Sequence, residues 1–152
     1  MMMMRKIAIA LAPAMIAACN SGGGAVATSP QASYDQALKC EGMFMEYVVL
    51  ASAVAVPGQS PGSSPEDIEQ FLQDVRTFGQ NWPVNSTLLI ERGKAIGMTQ
   101  SAILAQRNEA TDAAEARVRS KRQTLETWDA AKTEVAALRS QLENCPQLTE
   151  RN

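Results

Sequence analysis

Residues 125–142, with the sequence LETWDAAKTEVAALRSQL, carry the clearest structural signal in the chain. Apolar side chains recur there at intervals of three or four residues, at Leu125, Trp128, Ala131, Val135, Leu138 and Leu142. This spacing places them on one face of an α-helix. Since Thr99 can cap the segment and the next proline is Pro146, the sequence predicts helix over residues 99–144. A continuous helix would be about 69 Å long, so it must overhang, bend or pair with another molecule.

Three further helices are predicted upstream of this segment. Residues 33–55 repeat apolar side chains at three and four positions and are apolar nearly all round toward their end. A second helix begins after the N-cap Ser64 and ends before Pro83. A short third helix covers about residues 86–96 and ends at Gly97, a typical C′ residue.

The composition favours helices over strands. Of the 152 residues, 45% are hydrophobic but only 5% are aromatic, and alanine supplies much of the remainder. A β-sandwich would need more β-branched and aromatic residues. We therefore expect an all-α domain over residues 33–148, followed by a tail at 149–152. Its expected architecture is a small antiparallel bundle of three to four helices with a long C-terminal helix.

Charge and residue types argue against two broad functions. The formal net charge is −2, and removal of Arg5 and Lys6 with residues 1–18 takes it to −4. An acidic chain without a basic stripe is a poor partner for nucleic acid. The chain also contains no histidine, the commonest general base and metal ligand. We expect no nucleic-acid partner, no cofactor and no enzymatic activity.

The first 18 residues have the layout of an export signal. Arg5 and Lys6 precede an apolar run over residues 7–18, which is too short to span a membrane and ends in small residues. The run leads into Ile16-Ala17-Ala18-Cys19, which resembles the lipobox of bacterial lipoproteins. The resemblance implies cleavage before Cys19, diacylation of its sulfur and attachment to an envelope membrane. The alternative is an ordinary signal peptide, with Cys19 a chance residue.

A flexible tether follows the lipobox. Residues 19–32 are rich in glycine, serine and other small residues, as expected of a spacer between lipid and fold. Asn20 follows the cysteine, whereas enterobacterial lipoproteins retained in the inner membrane favour aspartate at this position. The resemblance therefore implies a periplasm-facing domain, preferably at the outer membrane.

Two further cysteines predict a disulfide. Cys40 lies near the start of the first helix and Cys145 at the end of the last, and those ends meet in an up-down bundle. The periplasm is oxidising, so the natural prediction is a Cys40–Cys145 bond. Two buried free thiols are the alternative.

One apparent catalytic motif is better explained as a loop. Gly58-Gln59-Ser60-Pro61-Gly62 matches the G-x-S-x-G pattern of serine hydrolases. However, the residue after the serine should donate a backbone N–H to the oxyanion, and Pro61 has none. Acidic residues on the second helix are explained by capping and a solvated face, so no metal site is expected either.

Two functional hypotheses remain. In the first, the domain docks another envelope component or self-associates, using the charged residues 107–122 and an apolar strip beside them at Ala110, Ala113, Ala114 and Val118. In the second, it carries a small apolar ligand in a pocket between helices. The candidate lining residues are Phe44, Tyr47, Trp82 and Trp128, which could equally well form the core.

Overall fold

The protein is an all-α bundle of five helices, in a computed structural model that describes residues 29–56, 61–82 and 86–145. The helices are α1 (Pro30–Val54), α2 (Pro65–Gln80), α3 (Ser86–Ala95), α4 (Gln100–Arg122) and α5 (Trp128–Glu143). The predicted all-α class is confirmed. The expected signal peptide, the lipidation site Cys19 and the tail at 149–152 lie outside the described residues.

The helix starts follow local capping chemistry. α1 begins at Pro30, three residues before the predicted start, because the Ser29 hydroxyl accepts the Ala32 N–H at 3.2 Å and proline suits the first helical position. At α2 the predicted cap Ser64 is confirmed, and Asp67 completes a capping box with it. The Ser64 hydroxyl and the Ser64 backbone N–H both donate to the Asp67 carboxylate, at 2.7 and 3.2 Å, and they lower its pKa because they favour its charged form.

The segment predicted as helix over residues 99–144 is divided into two helices. After α4 the chain turns, and the Thr124 hydroxyl donates to the Lys121 carbonyl at 2.7 Å. The Thr127 side chain then accepts the Ala130 N–H at 3.2 Å and caps α5. This break makes five helices where three or four were predicted. The segment therefore neither overhangs the bundle nor needs a second molecule to pair with. Its second half, α5, folds back and buries its apolar face in the larger cluster.

The central helix of the bundle is α1. Each of the other four helices packs against it, and α3 also packs against α4. Phe44 lies against Trp82 and Tyr47 against Phe78, so α1 and α2 are antiparallel. The ion pair between Glu41 and Arg107 and those that follow it show that α4 runs parallel to α1. The four longer helices therefore alternate in direction along the chain, as an antiparallel bundle requires.

Two hydrophobic clusters form the core. The larger cluster joins α1, α2 and α5, and five of the six apolar positions first noted in residues 125–142 are buried, Leu125 being half-buried. The smaller cluster lies in the N-terminal half of α1, where α1 contacts α3 and the start of α4. Its buried members are Tyr34, Ala37, Cys40, Leu89 and Ile103. Trp82 and Cys145 pack against both clusters and so connect them.

Candidate functional site

The predicted pairing of Cys40 with Cys145 is present in the structure. The two sulfur atoms are bonded across a sequence separation of 105 residues, and the Cα atoms are 6.2 Å apart. Cys40 is buried in the smaller cluster. The bond therefore ties the end of α5 to the middle of α1.

Charged side chains link α1 to α4 and α5. Glu41, which is 4% exposed, accepts from Arg107 Nε at 2.9 Å. Glu46, which is 5% exposed, accepts from Arg117 Nε at 2.6 Å and lies 3.1 Å from Lys121 Nζ. Lys121 also pairs with Glu134 of α5. Lys121 thus joins α1, α4 and α5, because it bridges the carboxylates of Glu46 and Glu134.

Burial and pairing act in opposite directions on this network. Burial alone would raise the pKa of Glu46, but the hydrogen bonds from Arg117 and Lys121 outweigh it and lower the pKa below its ordinary value. For Lys121, burial opposes the charged form, while the bonds to Glu134 and Glu46 prevail and raise its pKa. Both groups are therefore held in their charged forms.

Sequence reasoning missed these buried carboxylates. Glu41 and Glu46 lie in a helix whose neighbouring positions are apolar, and their partners are 66 and 71 residues away along the chain. Ion pairs between residues so far apart along the chain produce no periodic pattern in the sequence. The charged residues 107–122, which the sequence pattern assigned to a docking surface, supply Arg107, Arg117 and Lys121 to the network that holds the buried carboxylates.

The apolar strip expected to be available for docking is largely used within the bundle. Ala114 and Val118 are buried. Ala110 faces Gly42, where a Cβ atom on the glycine would lie 3.5 Å from the alanine Cβ. The strip therefore allows α1 and α4 to approach closely. A groove of about 330 Å³ remains beside this contact, with Ala113 on its wall and lining residues from both helices.

Three of the four aromatic residues proposed for a pocket are packed together. Phe44 and Trp82 stack with ring centroids 5.2 Å apart and planes 5° apart, and Tyr47 lies 6.4 Å from Phe44. Trp128 pairs instead with Phe71, with centroids 5.1 Å apart. The indole N–H groups of both tryptophans are buried and find no hydrogen-bond partner in the described part of the chain. Phe44 and Trp82 therefore pack as core residues and do not line a pocket.

A cleft is present elsewhere, between α2 and α5. No Cα atom in one of these fully described helices lies within 8 Å of a Cα atom in the other. Side chains bridge the gap at two places: Phe71 meets Trp128, and Arg139 lies over the Phe78 ring, 4.8 Å from its centroid. Between these bridges lies a space of about 180 Å³, here called the α2–α5 cleft. It is lined by Tyr47, Phe71, Asp74, Val75, Lys132, Val135, Ala136 and Arg139.

The G-x-S-x-G motif lies mainly outside the described residues, which resume at Pro61. The Pro61 carbonyl accepts the backbone N–H of Trp128 at 3.1 Å, so Pro61 is held against the start of α5. Across residues 29–56, 61–82 and 86–145, no group of three or more His, Cys, Asp or Glu side chains could hold a metal ion.

Comparisons with known proteins give no relative. No protein-family model matches the chain, and no match is found among curated proteins or solved structures. Among the described helices, none is long and apolar enough to cross a membrane. Functional inference therefore rests on the sequence pattern and on the geometry above.

Proposed function

We propose that the chain is a bacterial lipoprotein whose helical domain acts as a binding or structural module for another component of the cell envelope. The observation that carries this proposal is the motif Ile16-Ala17-Ala18-Cys19, placed between a short apolar run and a flexible, small-residue spacer. Acylation of Cys19 would anchor the domain, since two or more acyl chains hold a protein firmly to a bilayer. Asn20 favours the outer membrane, with the domain facing the periplasm.

The disulfide supports the same compartment on independent grounds. Structural disulfides form and persist in oxidising environments such as the bacterial periplasm and are rare in the cytosol. Cys40 and Cys145 are bonded in the fold. Cys19, the third cysteine of the chain, is left for the lipid.

A binding or structural role also agrees with the contacts made by the buried charged side chains. The buried carboxylates Glu41 and Glu46 are each bound to cations of α4, so they hold helices together. A tethered, covalently closed bundle suits a domain that presents its surface to a partner at the membrane, or to a second copy of itself.

A second candidate function is the carriage of a small apolar ligand. The α2–α5 cleft favours it, because its volume of about 180 Å³ is comparable with a cavity of about 150 Å³ that binds benzene in another protein. Of the four residues first proposed for a pocket, Tyr47 lines this cleft. The carrier hypothesis therefore applies to the α2–α5 cleft and no longer to the space around Phe44 and Trp82.

The anchoring proposal is tested by the intact mass of protein extracted from membranes. We expect the mass of residues 19–152 plus acyl chains, with no alkylation of thiols until a reductant is added. A Cys19→Ala variant should lose the acyl mass and leave the membrane fraction, whereas Cys145→Ser should keep both. An unlipidated wild-type protein with reactive thiols would overturn the proposal.

The docking role needs a separate measurement. Amine-reactive crosslinking of intact membranes should give a defined adduct with wild type that is lost with Cys19→Ala, since anchoring brings the domain to its partner. A wild-type protein that stays monomeric and uncrosslinked would contradict the docking role and leave the carrier hypothesis.

A further inference from the structure

The α2–α5 cleft has the size and walls of a small-molecule site. Phe71, Val75 and Val135 supply apolar walls, and the space between the two side-chain bridges is about 180 Å³. On the apolar face of α2, Ile68 is buried, and Phe71, Leu72, Val75 and Phe78 are partly buried against the larger cluster. A ligand of one or two fused rings would fill this volume and cover part of that face.

A buried phenol lies on the α1 side of the cleft. Tyr47 is 1% exposed and lines the space. Burial raises the pKa of this hydroxyl, and the charges of Arg139, Asp74 and Glu143 also act on it. The hydroxyl is therefore a neutral group close to the charged rim, and it can donate a hydrogen bond to a ligand in the cleft.

Two cations stand on the α5 side of the rim. Lys132 and Arg139 both line the cleft, while Asp74 faces them from α2. Lys132 also pairs with Asp129 at 3.0 Å, and Arg139 Nε with Glu143 at 3.1 Å. Both partner carboxylates are exposed to solvent, with side chains 90% and 56% accessible. The Arg139 contact uses Nε, so the terminal N–H groups of the guanidinium can serve a further acceptor.

We propose that the α2–α5 cleft binds a compact aromatic carboxylate, with its ring between Phe71 and Val135 and its carboxylate between the Tyr47 hydroxyl and Arg139. The apolar walls select the ring, and a donor together with a cation selects a monoanion over a neutral or cationic analogue. This inference deepens the carrier hypothesis under the proposed function and does not depend on the lipid anchor.

The test uses the full mature chain, oxidised and in detergent, titrated with three probes of equal ring size. The probes are 2-naphthoate, 2-naphthylmethanol and 2-naphthylmethylammonium, with binding measured by calorimetry. We expect the carboxylate to bind roughly tenfold or more tightly than the alcohol, as a charge-assisted hydrogen bond implies. The ammonium should bind most weakly.

Four variants locate the site. Arg139→Gln should weaken 2-naphthoate binding roughly tenfold and Tyr47→Phe several-fold, with little change for the alcohol. Ala136→Leu fills the cleft from an exposed position and should abolish binding of both probes. Ala137→Leu is the matched control, because its side chain is exposed outside the lining and should leave affinity unchanged.

Three outcomes overturn the inference. The first is absence of 2-naphthoate binding, and the second is equal affinity for the carboxylate and the alcohol. Loss of binding in Ala137→Leu to the same extent as in Ala136→Leu would equally remove the site from this cleft. The mass measurement on Cys19 is unaffected by any of these results, so failure of the ligand site and failure of the anchoring proposal are distinguishable.

Discussion

The two sides of α1 are packed by opposite means. Toward α4, Gly42 meets Ala110 and the carboxylates Glu41 and Glu46 are paired with basic side chains. Toward α2 and α5, the contacts are made by aromatic rings, and a cleft is left between the outer helices. Small residues allow two backbones to approach, while large rings hold them apart. The same central helix therefore has one closed side and one open side.

The two sides of α1 differ in the contacts that hold their helices together. On the α4 side, buried ion pairs with defined partners set the register of two parallel helices. On the α2 and α5 side, the helices meet through the larger hydrophobic cluster, and the disulfide ties the end of α5 to α1.

The largest effect is expected from loss of the Cys40–Cys145 bond. Because it closes a loop of 105 residues, Cys145→Ser should lower the free energy of unfolding by up to about 4–5 kcal/mol in the chain-entropy model. Thermal unfolding with and without reductant measures this: wild type should respond to reductant and the variant should not. Hydrogen exchange should show α5 losing more protection than α4. Equal melting of wild type in both conditions would contradict the expectation.

A second prediction concerns how tightly α3 packs against α1 and α4 in the smaller cluster. A Cβ atom on Gly93 would lie 2.4 Å from Ile103 Cδ1 and 3.2 Å from Tyr34 Cε2. Gly93→Ala should therefore destabilise the protein by about 1–3 kcal/mol, through overpacking in the smaller cluster. Denaturant unfolding provides the measurement.

Gly42→Ala is the matched control for that variant. The new Cβ would be 3.5 Å from the Ala110 Cβ, an ordinary contact. Since alanine is the better helix former, this variant should be neutral or more stable by up to about 1 kcal/mol. Destabilisation by both variants alike would show that no room remains between α1 and α4.

A third prediction tests the buried ion pairs through pH. Glu46→Gln should lower the free energy of unfolding by about 1–2 kcal/mol at neutral pH, discounted because Arg117 and Lys121 are partly exposed. The pKa of Glu46 is lowered in the fold from 4.5. Its contribution is therefore complete above about pH 4.5 and is lost as the pH falls through the folded value. The difference between wild type and variant should shrink in acid.

The control for the pH experiment is Glu115→Gln, at an exposed position on α4. Its unfolding free energy should follow that of wild type at each pH. A constant difference between wild type and Glu46→Gln from neutral to acid pH would remove Glu46 from the account of acid sensitivity.

The smallest effect is expected for an ion pair on the open side. Arg139 and Glu143 pair at 3.1 Å across one helical turn, with side chains 45% and 56% exposed. Glu143→Gln should change the free energy of unfolding by less than about 0.5 kcal/mol, as exposed pairs usually do. Chemical denaturation of both variants measures the two changes in unfolding free energy and distinguishes Glu143→Gln from Glu46→Gln. An effect equal to that of Glu46→Gln would abolish the distinction between the two sides.

Local signals predicted the helices well and the long-range polar contacts poorly. The Ser64 cap, the apolar stripe of residues 125–142 and the cysteine pair were all predictable, because each rests on periodicity, capping or cysteine chemistry. The break before Trp128 was not predicted, since no proline or glycine marks it; the signal was Thr127 as a cap, with Asp129 in the first turn.

The candidate site was predicted only in part. Tyr47 was identified as a lining residue, but Lys132 and Arg139 were not, because on a helix surface a cation facing a cleft has the same sequence pattern as one facing solvent. Phe44 and Trp82 were grouped with Tyr47 correctly, yet their stacking fills the space between them. Composition can nominate aromatic residues, whereas their packing decides whether a cavity remains.

The position of the disulfide also determines how the domain would respond to force. The first helix, α1, begins at Pro30, and Cys40 within it is bonded to Cys145, just after the end of α5. Tension applied through the two ends of the chain would pass along residues 30–40 and cross the sulfur bridge directly. The intervening residues form a covalent side loop that carries none of that load. Most of the bundle, including the α2–α5 cleft, would stay folded under a pull that unwinds the first turns of α1.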